Sequence, residues 1–242
     1  MLVKQRIIQS GNILEIIDFE NPVPIGMNGN NPNGRNGNTT EEEKIENRKK
    51  TLKRNISLFW RLFNANKDKH KHKDKFMTLT FRRLPPSIKE CDYQLNKFIK
   101  RLKYFSKTNI QYQGIRELQL EHDRNGNHYH IIFYNLPFIP HSKLLELWCD
   151  GNPYQDDKNR SGVNIKAIDD GYNEMSNYLT SYLLQEVIEN DFLKGHKIII
   201  KSKGLKKPIR SDLTTRLFEP KIDEIKKALS FIDNKITYYQ TK

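Results

Sequence analysis

Apolar positions recur along this chain with two periods, and the places where the period changes mark its elements. Thr40 and Glu43 form a capping box, and Ile45, Leu52, Ile56, Phe59 and Phe63 follow at helical spacing to about Asn64. The other face of that helix carries Arg48, Lys49, Lys50, Lys53 and Arg54, either as a solvated face or as one that contacts phosphates. Phe76 to Phe81 reads as a strand, and Leu95, Phe98, Ile99, Leu102 and Phe105 define an amphipathic helix. Two β runs, Gly114 to Glu121 and His128 to Asn135, flank Asp123-Arg124-Asn125-Gly126-Asn127, a hairpin signal of the Asn-Gly kind. Ser142 is expected to cap a short helix through Leu144, Leu145 and Trp148. Val163 to Ile168 and His196 to Lys201 read as strands, Met175 to Glu186 as a helix, Ile222 to Ile232 as a closing helix and Lys235 to Gln240 as a last strand. Near the start, Ile13, Ile16, Ile17 and Phe19 suggest one short strand added to the body. Interleaved elements around a central hairpin predict an α+β fold with a mostly antiparallel sheet rather than a doubly wound parallel one.

Composition adds boundaries and a partner. Residues 26 to 40 (GMNGNNPNGRNGNTT) are Gly- and Asn-rich without apolar periodicity, so burial cannot offset the entropy of ordering them and a linker is expected. The predicted division is an N-terminal extension over 1–73, containing this linker and the basic helix, and a main domain over 74–242. With 42 basic against 29 acidic side chains the net charge is +13, which attracts a polyanion, nucleic acid first. No apolar run approaches the roughly 20 residues that span a bilayer, and Met1 to Leu14 lacks a signal-peptide core; no membrane partner and a cytoplasmic location are expected. Cys91 and Cys149 are far apart in sequence and form no CxxC pair, so they read as reduced bystanders. No GxxxxGK[ST] phosphate loop is present, so any helicase would come from the host.

The chemistry concentrates on two motifs. Side chains alternate across a strand, so His128 and His130 project from one face and Tyr129 and Ile131 from the other. Such a pair is either two polar residues on a half-exposed strand or two ligands of one ion. An odd register sum across the hairpin sets Glu117, Gln119 and Glu121 on the histidine face. A two-residue turn places Glu121 opposite His130 and a four-residue turn places it opposite His128, which makes Glu121 the expected third ligand. A longer loop would substitute Gln119 and Glu117. Two imidazoles and one oxygen leave open positions, which suits a catalytic Mn²⁺ or Mg²⁺ better than a closed zinc site. The other HxH, His70-Lys71-His72, lies in KDKHKHKDK without apolar alternation and reads as a basic connector.

Tyr178 and Tyr182 lie four apart on a predicted helix and share one face. With Met175, Leu179 and Leu183 they are either core residues or, beside a metal, nucleophiles for a phosphodiester. Binding single-stranded nucleic acid without cleavage, with bases stacked on the aromatics, is the reading from a different class.

In order, these segments resemble the motifs of the HUH endonuclease superfamily, in particular the phage and plasmid rolling-circle replication initiators of the gene II and gene A kinds. Phe76-Met77-Thr78-Leu79-Thr80-Phe81 resembles the first motif, His128-Tyr129-His130 the second, and Tyr178-Leu179-Thr180-Ser181-Tyr182-Leu183-Leu184-Gln185 the two-tyrosine third. Ser202-Lys203-Gly204-Leu205-Lys206-Lys207-Pro208 is similar to a tail segment of this branch. The resemblance covers roughly residues 74 to 210. It implies a five-stranded antiparallel sheet with helices packed on it, and site-specific nicking of single-stranded DNA at an origin. Tyr178 would be the nucleophile and hold the 5′ phosphate, Tyr182 its partner in strand exchange, and host helicase and polymerase would join the process. Mobilisation relaxases and transposases of the same superfamily share this chemistry. The sequence departs from the third motif where Ser181 and Gln185 replace both lysines. Lys201, Lys203 or Lys206 would then supply the missing cation, and these three with Lys207 are the expected DNA contacts.

Overall fold

The computed structural model describes residues 2–24, 40–67, 74–119, 126–155, 162–168, 196–215, 226–227 and 236–240. Among them the chain forms β1 (Leu2–Ser10), β2 (Ile13–Pro24), α1 (Glu41–Asn66), β3 (Lys75–Thr80), α2 (Ile88–Ser106), β4 (Gln111–Gln119) and β5 (Gly126–Tyr134). There follow α3 (His141–Cys149), β6 (Val163–Ala167), β7 (Ile199–Lys201), β8 (Ile209–Leu213), β9 (Lys226–Lys227) and β10 (Ile236–Gln240). The fold is α+β, and its strands form two antiparallel five-stranded sheets. It divides into two compact units: Met1–Asn47 with Trp60–Asn66 and Lys206–Lys242, and Arg48–Phe59 with Lys67–Leu205.

The first unit holds the sheet β8-β1-β2-β10-β9. β1 and β2 form a hairpin with Ile7 opposite Ile16, turning through Gly11, whose φ of +63° only glycine adopts without strain. The α1 residue Arg61 grips the buried Glu15 of β2 through Nε (2.9 Å) and Nη2 (2.7 Å). Asn66 accepts a hydrogen bond from the Lys206 amide at 2.9 Å and donates to the Lys206 carbonyl at 2.9 Å. This unit takes chain from both ends, whereas the sequence suggested one domain over 74–242 and a single added strand near Ile13. The closing helix expected over Ile222–Ile232 is also corrected, since Lys226–Lys227 is strand β9, paired with β10; the rest of that segment lies outside the described residues.

The second unit holds the sheet β6-β3-β5-β4-β7. Strict alternation on β3 and β5 turns Met77, Leu79, Tyr129, Ile131 and Phe133 to one face. Leu95, Phe98, Ile99 and Leu102 of α2 and Leu144, Leu147 and Trp148 of α3 pack there in a single buried cluster. Burial of each such side chain contributes about 1.5–3 kcal/mol. Ser87 caps α2, its Oγ accepting from the Glu90 amide at 3.2 Å, and Lys107 closes it in the left-handed conformation. Helix α3 begins one residue before the expected cap: Pro140 occupies the N-cap position and Ser142 lies inside the helix. The Thr40–Glu43 capping box forms in both directions, at 3.0 and 3.2 Å. On the other face of the sheet, the α1 carbonyl of Phe59 accepts from Gln113 Nε2 at 3.2 Å.

Gly114 of β4 lies opposite Ile131, so close that a Cβ there would sit 2.4 Å from the His130 carbonyl oxygen. A side chain at this position must push β4 from β5. Gly114→Ala is therefore expected to lower stability by about 1–3 kcal/mol in urea unfolding, although alanine in an ordinary strand interior stabilises relative to glycine.

Candidate active site

The face of the second sheet away from α2 and α3 carries a polar cluster from β3, β4 and β5. Thr78 pairs across with His130 and Thr80 with His128, while on the other side Glu117 pairs with His128 and Ile115 with His130. The period of two thus gathers Thr78, Thr80, Glu117, His128 and His130 on one face. Each imidazole is latched through Nδ1, His130 to Thr78 Oγ1 at 3.1 Å and His128 to Thr80 Oγ1 at 2.9 Å. That bond sets each ring's orientation, as an outer-shell partner does for a ligating histidine. His130 Nε2 meets Glu117 Oε2, and the second Glu117 oxygen is buried with no hydrogen-bond partner. Phe76, His130 and His128 form a run of parallel rings, with centroids 5.9 and 6.3 Å apart. Burial holds the His128 pKa below its ordinary value, and the neighbouring His130 lowers it further while Glu117 opposes both. The ring is kept neutral, the form that presents a lone pair.

Two imidazole nitrogens and a carboxylate fit a hard or borderline divalent ion by donor type, and the orphaned Glu117 oxygen is a buried acceptor in need of a partner. In position they are not gathered: among the described residues no three His, Cys, Asp or Glu side chains form a set that could hold a metal ion. The His128 and His130 rings stand face to face, 8° from parallel, rather than converging.

The two histidines share a face as their spacing requires, but the hairpin is longer than either short turn. Gln119 pairs with Gly126, so residues 120–125 form the connection, and Glu117 rather than Glu121 stands opposite His128. The short-turn registers that favoured Glu121 are thereby corrected, and Glu121 itself lies outside the described residues. Tyr178 and Tyr182, residues 26–39 of the expected linker, and His70-Lys71-His72 also lie outside them. Lys201 pairs with Gln113 and so stands on the histidine face at the β7 edge. Lys166, which the sequence did not single out, pairs with Phe76 and stands on the same face at the β6 edge. Lys203 is exposed in the turn before Gly204 in the second unit, whereas Lys206 and Lys207 are exposed residues of the first.

Sequence reasoning also missed the network behind the histidine strand. Arg116 of β4 pairs directly with Tyr129, the residue between the two histidines, and its guanidinium carbon lies 5.6 Å from the Tyr129 ring centroid. Arg116 Nη2 and Tyr129 Oη both donate to Asp92 Oδ1 of α2, the latter at 3.0 Å, and Arg116 Nη1 donates to the Lys197 carbonyl at 2.8 Å. Burial pushes the Tyr129 hydroxyl far above its ordinary pKa, so it acts as a neutral donor. The only sequence signal was a tyrosine between the two histidines, since the burial of Arg116 and its pairing with Tyr129 appear only in the fold.

Residues 74–186 match the family model of the replication-associated proteins of the ORF2 and gene II protein kind. The match takes in the histidine face of β3, β4 and β5 and supports a role in replication. No curated protein and no solved structure matches the chain.

The Asp92 network generates a graded expectation. Tyr129→Phe removes one hydrogen bond and should cost about 1 kcal/mol. Asp92→Ala leaves Arg116 buried without its counter-charge and should cost about 2–3 kcal/mol, discounted because Asp92 is itself partly exposed. Chemical denaturation of the two variants checks the order.

Proposed function

We propose that this chain is a rolling-circle replication initiator that nicks and rejoins single-stranded DNA at an origin through a 5′-phosphotyrosine. The observation that carries the reading is the latched His128/His130 pair with Glu117 beside it, on a sheet inside the segment similar to replication-associated proteins. His128, His130 and Glu117 supply the donor types for Mn²⁺ or Mg²⁺ and would have to converge from their stacked arrangement to hold it, with Gln119, two residues further along β4, the next candidate by register. When bound, such an ion supplies Lewis acidity toward a non-bridging phosphate oxygen. Thr78 and Thr80 keep both imidazoles oriented for that task, and burial of His128 keeps it unprotonated.

The Tyr178 hydroxyl attacks phosphorus, its oxygen forming the new P–O bond as the bond to the 3′ oxygen breaks. The phenolic proton leaves to a base or water, and the released 3′ oxygen becomes a hydroxyl that primes synthesis. Tyr182, one helical turn away by sequence spacing, would repeat the attack when the circle is closed. Lys201 and Lys166 flank the histidine face and suit contacts to the strand's phosphates, with Lys203, Lys206 and Lys207 as further basic contacts. Host helicase and polymerase would extend from the nick. A relaxase or transposase would use the same residues on a different DNA.

With labelled single-stranded DNA and Mn²⁺, the wild type should give a protein–DNA adduct stable to denaturant. His128→Ala or His130→Ala should abolish it while DNA binding stays nearly intact, and Tyr178→Phe should abolish it where Tyr182→Phe does not. Glu117→Gln should weaken Mn²⁺ binding more than Glu121→Gln. Thr80→Val should weaken it by roughly tenfold or more through loss of the ring latch. Absence of any adduct from the wild type, with salt-sensitive binding retained, would replace this reading by a non-catalytic binding module.

A further inference from the structure

Helix α2 buries one stripe in the core and presents the opposite stripe to solvent. Along that outer stripe lie Lys89, Tyr93, Asn96, Lys100, Tyr104 and Lys107, all exposed, with Lys97 and Lys103 beside it. Tyr104 is 89% exposed and Tyr93 56%, and Lys97 Nζ lies 5.4 Å from the Tyr93 ring centroid. The helix has two carboxylates, and neither serves this face: Glu90 accepts from Gln94 at 2.8 Å, and Asp92 is taken by Arg116 and Tyr129. A solvated helix face ordinarily mixes signs at i, i+4. Here Lys100, Lys103 and Lys107 lie within about two turns of one another, Lys89 extends the stripe toward the other end, and among the described residues of α2 no carboxylate faces them, a like-charge cost that a bound polyanion removes.

We infer that the outer face of α2 is a second binding track for single-stranded DNA, on the opposite side of the sheet from the histidine pair. From Lys89 to Lys107 the track is about 27 Å long, enough for several nucleotides. The lysines meet phosphates and the two tyrosines offer flat faces on which unpaired bases stack, a combination suited to a strand without sequence preference. A duplex would use the lysines but keep its bases from the rings. The inference rests on the nicking reading only for the identity of the strand as DNA. Because the track and the histidine face lie on opposite sides of one sheet, a short oligonucleotide at the histidines leaves the track empty.

The test uses the full chain, fluorescein-labelled oligothymidylate of about 30 nucleotides, and chelator to prevent cleavage. Fluorescence anisotropy across a salt series should show Tyr93→Ala/Tyr104→Ala binding about tenfold or more weaker than wild type. Lys89→Gln/Lys100→Gln/Lys107→Gln should lower the log–log salt slope by about 2. Bromodeoxyuridine photocrosslinks should map to the α2 peptide. All five positions are exposed, and unchanged unfolding midpoints would show that the variants fold. Wild-type affinity and slope in both variants, or crosslinks confined to other elements, overturn the track. Equal binding of a duplex of the same length, insensitive to the tyrosines, shows phosphate contact alone and overturns the stacking assignment. If the wild type forms no adduct with Mn²⁺ yet the tyrosine variant loses binding, the nicking reading fails and the track stands.

Discussion

The fixed lateral position of β5 is the constraint on which the second unit depends. Its odd-numbered residues, Tyr129, Ile131 and Phe133, are fully buried against α2 and α3, and its even-numbered residues carry the histidines. A slip of one residue would drive His128 and His130 into the apolar layer and withdraw three large side chains from it, so the register cannot drift without disrupting the core. Hydrophobic packing on one face therefore holds the polar geometry on the other. Neighbouring strands refine it from both sides: β3 brings hydroxyls to Nδ1, and β4 brings a carboxylate to Nε2.

The two faces of β5 are also tied together electrostatically. Arg116 and Glu117 are adjacent on β4, one turned to the helices and one to the histidines. Arg116 is buried with its charge met by Asp92 of α2, so β4 is anchored to the helix layer immediately beside the residue that meets His130. Gly114, three residues before Glu117, lets β4 approach β5 at a distance no other residue permits. Together these contacts limit the freedom of Glu117 to leave the imidazole.

Much of the second unit was legible because its signals are local. Period-two runs mark β3, β4, β5 and β6, the capping box starts α1, and the period of 3.6 locates α2. The histidine face follows from alternation alone. The third member of the polar set did not, because it depends on the length of the connection after Gln119, and the Asn125-Gly126 dipeptide suggested a tighter turn than the pairing of Gln119 with Gly126 allows. The first unit was largely missed for a different reason. The pairings on either side of the β1–β2 hairpin span most of the sequence, with Arg6 of β1 opposite Asp212 of β8 and Ile17 of β2 opposite Ile236 of β10, and such pairings leave no periodic trace. The Ser10-Gly11-Asn12 turn between two Ile-rich runs was a readable hairpin signal. In the Asp92–Arg116–Tyr129 network only the Tyr129 position between the histidines could be read from the sequence; its link to Asp92 could not, since only tertiary packing brings α2 to β4.

The order of strands in the first sheet has a consequence for how the chain acquires it during synthesis. β1 and β2 are made long before the neighbours on their outer edges, β8 and β10. Until then they form a two-stranded hairpin, which in water is marginal at best and offers unpaired edges to any other strand. Most of the second unit is translated in the interval, including the β4–β5 hairpin, whose pairing is local. The nascent protein thus passes through a stage in which the outer edges of β1 and β2 lack their native partners.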